Sequence, residues 1–141
     1  MKNMTEKAIE NFKNGCNCCQ AVFCAYAEEM GMSFAQAYKI AEAMGSGMGG
    51  SKNYVCGAVS GALMAASLMN SDGQPGKKSQ PETYALSQEI LNRFAEKNTS
   101  VVCRDLLGLN GKKLRSCPGC VEDAAQILYE VMSEKEQNKE G

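Results

Sequence analysis

Tyr54-Val-Cys-Gly-Ala-Val-Ser-Gly-Ala-Leu-Met-Ala-Ala-Ser-Leu-Met69 decides the fold. The stretch is long enough for four turns of helix and carries no charge. Seven of its residues, Gly57, Ala58, Ser60, Gly61, Ala62, Ala65 and Ala66, are small. An interior glycine costs a helix roughly 1 kcal/mol against alanine, so two of them need a compensating contact. Gly57 and Gly61 are four apart and share one face. They leave that face open to a second backbone, and this helix is expected at the centre of the molecule.

Working outward, Gly45-Ser-Gly-Met-Gly-Gly50 precedes the helix and is too glycine-dense for regular structure. Asn70 to Ser79 follows it as a polar loop with Gly73, Pro75 and Gly76. On the N-terminal side, Thr5–Lys13 reads as a helix stopped by Asn14-Gly15. A second helix runs from near Cys18 to Met30 with Gly31 at its C′ position. Ser33 is suited to cap a third, Phe34–Met44. On the C-terminal side, Ser79-x-x-Glu82 reads as a capping box opening a helix to about Lys97. Tyr84, Ile90, Leu91 and Phe94 are its expected core contacts. A short helix, Ser100–Leu107, ends at Gly108, and Asn110-Gly111 is a turn. The last helix opens at Cys117-Pro118 and continues through Val131. Helical spacing pervades the chain and strand alternation is absent. The expected class is all-α: one compact bundle of five to seven helices with short loops, a single domain over residues 1–141. The charged stretch 133–141 is expected to be a frayed helix end.

Hydrophobic residues at 44% and charged residues at 22% suit a soluble globular domain. A net charge of −1 offers no basic field for nucleic acid or anionic lipid. No run reaches the ~20 apolar residues of a membrane span, and the first residues carry no apolar core of a signal peptide. The expected location is cytoplasmic. There, cysteine-rich chains are more often metal-binding or redox-active than stapled by structural disulfides.

The chain has eight cysteines and no histidine. Any metal held by side-chain N or S donors would therefore be held by thiolates alone, and Cys-His or Ser-His-Asp catalysis is excluded. Cys117-Pro118-Gly119-Cys120 opens a helix, with Pro118 suited to N1. Unpaired N–H groups there favour a thiolate. The spacing suits a reversible disulfide or two ligands to one metal, but it lacks the βαβ setting of a thioredoxin motif. Cys16, Cys18 and Cys19 crowd another helix start. Residues 18 and 19 point about 100° apart, so at most two of the three face a common centre. Cys24, beside Phe23 and Tyr26, reads as a buried hydrophobe. Cys56 follows the glycine loop, whose mobility would admit a ligand or a partner thiol. Cys103 has Arg104 beside it, favouring a thiolate. The glycine loop follows no strand and fails the dinucleotide fingerprint. The nine methionines read as core filler rather than a soft-metal site.

Taken together, these segments resemble the C_GCAxxG_C_C family, small bacterial and archaeal proteins for which redox activity is proposed. Phe12-x-x-Gly15-x-Asn17-Cys18-x-Gln20-Ala21-Val22 is similar to its opening motif. Gly47-Met48-Gly49 with Cys56-Gly57-Ala58-Val59-Ser60-Gly61-Ala62 is similar to the central one. Cys103-Arg104-x-Leu106-Leu107-Gly108 and Cys117-Pro118-x-x-Val121-x-Asp123-Ala124-Ala125 are similar to the third and fourth. The likeness runs from Phe12 to Leu128, about residues 12–128. It departs from the family name in reading Val55-Cys56-Gly57-Ala58, and Cys16, Cys19, Cys24 and Cys120 are additional. The resemblance implies a helical fold and selects Cys18, Cys56, Cys103 and Cys117 as catalytic or metal-ligating residues. Gly57 and Gly61 are then the glycines flanking any cofactor.

Four cysteines from four helical segments imply a site converging inside a bundle. An iron–sulfur cluster suits such thiols, zinc is the alternative, and a dithiol/disulfide couple needs no cofactor. A redox partner is expected, a homodimer is compatible, and neither nucleic acid nor a membrane span is. The competing readings are a structural zinc module and a helical interaction domain with inert cysteines.

Overall fold

A computed structural model describes residues 1–140, with side chains through residue 138. Seven α-helices are present among them: α1 Thr5–Lys13, α2 Cys18–Glu29, α3 Phe34–Ala41, α4 Gly57–Asn70, α5 Gln80–Asn98, α6 Cys103–Leu107 and α7 Cys117–Glu140. A 3-10 turn, Glu42–Met44, extends α3. The protein is all-α, as its residue spacing predicts, and none of its helices is long and apolar enough to cross a membrane among the described residues.

Helix α4 packs against α2, α5 and α7, the central position expected of it. A Cβ on Gly57 would overlap the Cys18 sulfur, and one on Gly61 would lie 2.7 Å from the Cys19 carbonyl oxygen. The two glycines therefore let the α2 backbone lie directly on α4. Ala58, Val59, Ala62, Ala65 and Ala66 complete a core in which none is exposed, together with Val22, Ile90, Phe94, Val121 and Leu128. The Tyr26 hydroxyl ties α2 to α7 by donating to the Ala125 carbonyl at 2.7 Å.

Three expectations are corrected. Helix α4 begins at Gly57, not Tyr54, and α6 at Cys103, not Ser100. The residues before each helix are used elsewhere: Val55 and Val102 form an isolated antiparallel bridge. Cys56 N–H donates to the Val101 carbonyl at 2.8 Å and Cys103 N–H to the Tyr54 carbonyl at 2.9 Å. Ser79 makes no capping hydrogen bond to α5. Its hydroxyl instead accepts from the Asp72 N–H at 3.2 Å and donates to the Asp72 carboxylate at 3.3 Å, closing the preceding loop. Tyr84 is 58% exposed, and the buried position on that turn of α5 is Thr83. Helix α7 carries residues 133–140 in helical form. Gly141, the end of the expected frayed tail, lies outside the described residues.

Candidate functional site: a buried thiol cavity

The site is assembled from helix starts. Asn17 caps α2 in a reciprocal box: its side chain accepts from Gln20 N–H, and its own N–H donates to the Gln20 side chain, both at 2.9 Å. The leftover donors reach outward, Asn17 to the Glu42 carbonyl at 3.1 Å and Gln20 to the Tyr38 carbonyl at 3.1 Å. These bonds lock the first turn of α2, and with it Cys18, against the end of α3. The Asn17-x-x-Gln20 spacing is itself a capping signature legible in the sequence.

The glycine loop beside Cys56 makes hydrogen bonds of its own. Backbone bonds from Gly49 to Ala43, Gly50 to Gly45, Lys52 to Ser46 and Tyr54 to Gly47 tie it into successive turns. Gly47 has φ +71°, and a Cβ there would lie 2.6 Å from Lys52 Cα and 2.7 Å from Cys103 Cβ. Only glycine fits that crossing. Ser46 N–H points at the Cys18 sulfur, 3.4 Å away.

Cys18, Cys56, Cys103, Cys117 and Cys120 line one cavity with Ser46, Leu106 and Leu107, and its volume is about 20 Å³. That is room for about one water molecule. Cys18 opens α2, Cys56 is the N-cap of α4, Cys103 opens α6, and Cys117 opens α7 with Cys120 one turn in. All four cysteines selected by the family resemblance are therefore at one place. Cys120, counted as an extra in the sequence, joins them. Cys16, Cys19 and Cys24 do not line the cavity and are buried; the Cys19 thiol contacts the Met64 sulfur at 3.6 Å. Gly57 and Gly61 face the α2 backbone. Each of the eight cysteines stands as a free thiol.

Burial dominates most of these thiols. It raises Cys18 above the ordinary value, partly offset by the Ser46 N–H. It pushes Cys103 up to about 11, assisted by the neighbouring charges of Cys56, Cys18 and Cys117. Cys117 is also raised by burial and by Cys56, with Lys113 and Lys52 pulling the other way. Thus burial outweighs both the helix start at Cys117 and Arg104 beside Cys103, and each thiol is raised above its ordinary value. The Arg104 guanidinium is turned to the Asn53 side-chain oxygen, at 2.6 and 3.0 Å.

Cys56 is the exception. Its pKa falls below the ordinary 9.0, first because the Cys120 thiol donates to its sulfur, and despite the opposing cost of burial. The Val59 and Ala58 N–H groups of the first turn of α4 add to the effect. They face the sulfur without meeting the geometry of a full cap hydrogen bond. Cys120 moves upward, chiefly because it donates to Cys56, then through burial and the charges of Cys56, Cys117 and Asp123. Backbone donors surround Cys56 and a carboxylate lies near Cys120, so negative charge in this pair is favoured on Cys56.

That carboxylate is almost fully buried, 2% exposed. Burial pushes Asp123 upward, but Arg115, Lys97 and Asn98 together hold it below the ordinary carboxyl value. The contacts are Arg115 Nε at 3.0 Å, Lys97 at 2.9 Å and Asn98 at 3.1 Å. They fasten the first turns of α7 to α5 and to the segment before α7. The Ser116 hydroxyl accepts from Gly119 N–H at 3.1 Å and the Ser116 carbonyl from Cys120 N–H at 2.9 Å. Ser116 thus caps α7, which places Pro118 one position later than the N1 expected.

Five thiols are suitable donors for an iron–sulfur cluster or zinc. Among the described residues, no group of three or more Cys, Asp or Glu side chains is preformed as a metal site.

Fold and site define an all-helical protein in which five of eight cysteines meet at the starts of helices around a small cavity. The chain belongs to the family described as "Putative redox-active protein (C_GCAxxG_C_C)", whose model matches residues 16–131. No curated protein and no solved structure matches it.

Proposed function

We propose that the protein is a thiol redox carrier whose working couple is Cys56 and Cys120. The observation that carries this reading is geometric: Cys56 and Cys120 line the same small cavity, where the surroundings favour the thiolate at Cys56 and the thiol at Cys120. Such a pair is already disposed for S–S bond formation. Oxidation joins the Cys56 and Cys120 sulfurs, releases the Cys120 proton and removes two electrons. A partner disulfide takes them, its S–S bond breaking to one thiol and one thiolate. The couple's burial supports selective exchange over indiscriminate reaction with solvent oxidants.

The five sulfurs around one cavity favour a second reading, a thiolate site for an iron–sulfur cluster or zinc. It requires the side chains to regroup, and it is the weaker reading for that reason. Equilibration of the reduced protein in thiol/disulfide buffers, followed by mass analysis, tests the first. One two-electron transition is expected, lost in Cys56→Ala and in Cys120→Ala and retained in Cys24→Ala. A transition that survives both cavity substitutions would sink it.

A further inference from the structure

We propose that Cys117 is the thiol through which the buried couple meets its redox partner, and that this partner presents an anionic disulfide drawn in by Lys52 and Lys113. The inference rests on the dithiol reading above and adds the route and the chemical class of the partner. A cavity of about 20 Å³ admits no substrate. Cys18, Cys56, Cys103 and Cys120 are all buried, at 2–7% exposure. Cys117 alone of the five is partly exposed, so exchange must begin there.

The surroundings of Cys117 are cationic, although the chain as a whole carries −1. The Lys52 backbone crosses Gly47 beside Cys103, and Cys103 lines the cavity. Lys112 and Lys113 pack over Gly108, where a Cβ would lie 2.7 Å from Lys113 Cα. That segment is pinned by Leu114 and Arg115 N–H groups donating to the Leu106 carbonyl at 2.9 and 3.0 Å, and Leu106 lines the cavity. Among the described residues, none of Lys52, Lys112 and Lys113 forms a salt bridge, whereas Lys97 and Arg115 are engaged with Asp123. Asp105 accepts from Ser100 and Asn110 and keeps its charge, and Glu122 lies 4.0 Å from Arg115; the charges that act on Cys117 are those of Cys56, Lys113 and Lys52. Lys113 and Lys52 both favour the Cys117 thiolate. The same field concentrates an anionic disulfide at that sulfur.

The chemistry is three thiol–disulfide exchanges. The Cys117 thiolate attacks one sulfur of the partner disulfide; the partner's S–S bond breaks and its first thiolate leaves. The Cys56 thiolate then attacks the Cys117 sulfur, expelling the second. Cys120 gives its proton to that leaving thiolate and attacks Cys56, releasing Cys117 and leaving the Cys56–Cys120 disulfide. Two electrons have passed to the partner, which ends as one thiolate and one thiol, and Cys117 is returned as it began.

The test is the rate at which the fully reduced chain reacts with two probes, the dianionic 5,5′-dithiobis(2-nitrobenzoate) and the dicationic cystamine. Each rate is divided by that of the same chain in denaturant. An anion-to-cation preference of about tenfold or more is expected at low salt, shrinking as salt is raised. It should collapse in the Lys52→Glu/Lys113→Glu double variant, whose changes are at the surface. The fast phase should vanish in Cys117→Ser. A preference unchanged by charge reversal, or a fast phase surviving in Cys117→Ser, would overturn the proposal. The number of thiolates released separates the two readings. Two per chain with no charge preference keeps the couple and refutes the anionic partner. One per chain, held as a Cys117 adduct, refutes the couple and its relay while the rate ratio still reports the steering.

Discussion

Replacing Gly61 by alanine sets two effects of opposite sign against each other. Judged on helix propensity alone, the change stabilises α4 by roughly 1 kcal/mol. Judged on packing, it does not fit: the new Cβ would sit 2.7 Å from the Cys19 carbonyl oxygen and 3.3 Å from Phe23 N and Val22 Cβ. Ordinary contact begins at 3.4 Å, so α2 and α4 must part by about 0.7 Å, the difference of those two distances. The obstacle is backbone inside a core and cannot rotate aside. Overpacking of this kind costs about 1–3 kcal/mol, and a gap of that size forfeits a quarter to a half of the dispersion energy of the contacts it opens. Because the obstacle is backbone, the upper part of that range, about 2–3 kcal/mol, applies; less the propensity gain of about 1 kcal/mol, we expect a net loss of about 1–2 kcal/mol, a fall in Tm of roughly 3–10 °C for a chain of this length. Thermal unfolding followed by circular dichroism in reductant reads it, with Gln88→Ala on exposed α5 as a control held within about 0.5 kcal/mol. A Gly61→Ala variant as stable as the parent would refute the backbone-on-backbone contact.

Three further outcomes follow from the same structure. Cys120→Ala should raise the pH midpoint of Cys56 thiolate absorbance towards 9.0, while Cys120→Ser, which keeps a donor, should not; equal midpoints in both would show that the hydrogen bond does not set it. Burial pushes Cys19, Cys24 and Tyr26 up to about 12, so the unfolded chain ionises them first; stability should be intact below pH 9.0 and decline as pH rises towards 12, and a Tm that climbs over that range would contradict this. Asp123 is held below 3.8, so its ionised form stabilises the fold above that pH and the benefit disappears as pH falls through the lowered value; Asp123→Asn should be less stable than the parent at neutral pH, with the gap closing in acid, and a gap independent of pH would count against the ion-pair account.

The helical fold was legible because its devices are local. Gly57 and Gly61 announce a close approach by spacing alone, and Ser33 caps α3 through the Gln36 N–H at 3.2 Å as its position implies. The starts of α4 and α6 were not legible, because one bridging residue on each side, Val55 and Val102, leaves no alternation to detect. Ser79 has a capping sequence but a partner in Asp72 that only the folded loop brings near. At the site, four cysteines could be singled out by family likeness, yet nothing in their spacing ranked them. Which sulfur leans to the thiolate depends on one contact between elements remote in sequence, Cys56 at the start of α4 and Cys120 in the first turn of α7. Cys120 was passed over for that reason, although its place in Cys117-x-x-Cys120 was plain.

The most direct measurement is a map of the sulfur atoms in protein purified without oxygen, then oxidised by a mild disulfide. Free thiols are alkylated, the chain is digested, and iron, sulfide and zinc are quantified on the same sample. The account predicts negligible metal, a peptide pair joined through Cys56 and Cys120, and Cys16, Cys19 and Cys24 recovered as thiols. Stoichiometric metal with the cavity cysteines protected, or oxidation that never joins Cys56 to Cys120, would contradict it.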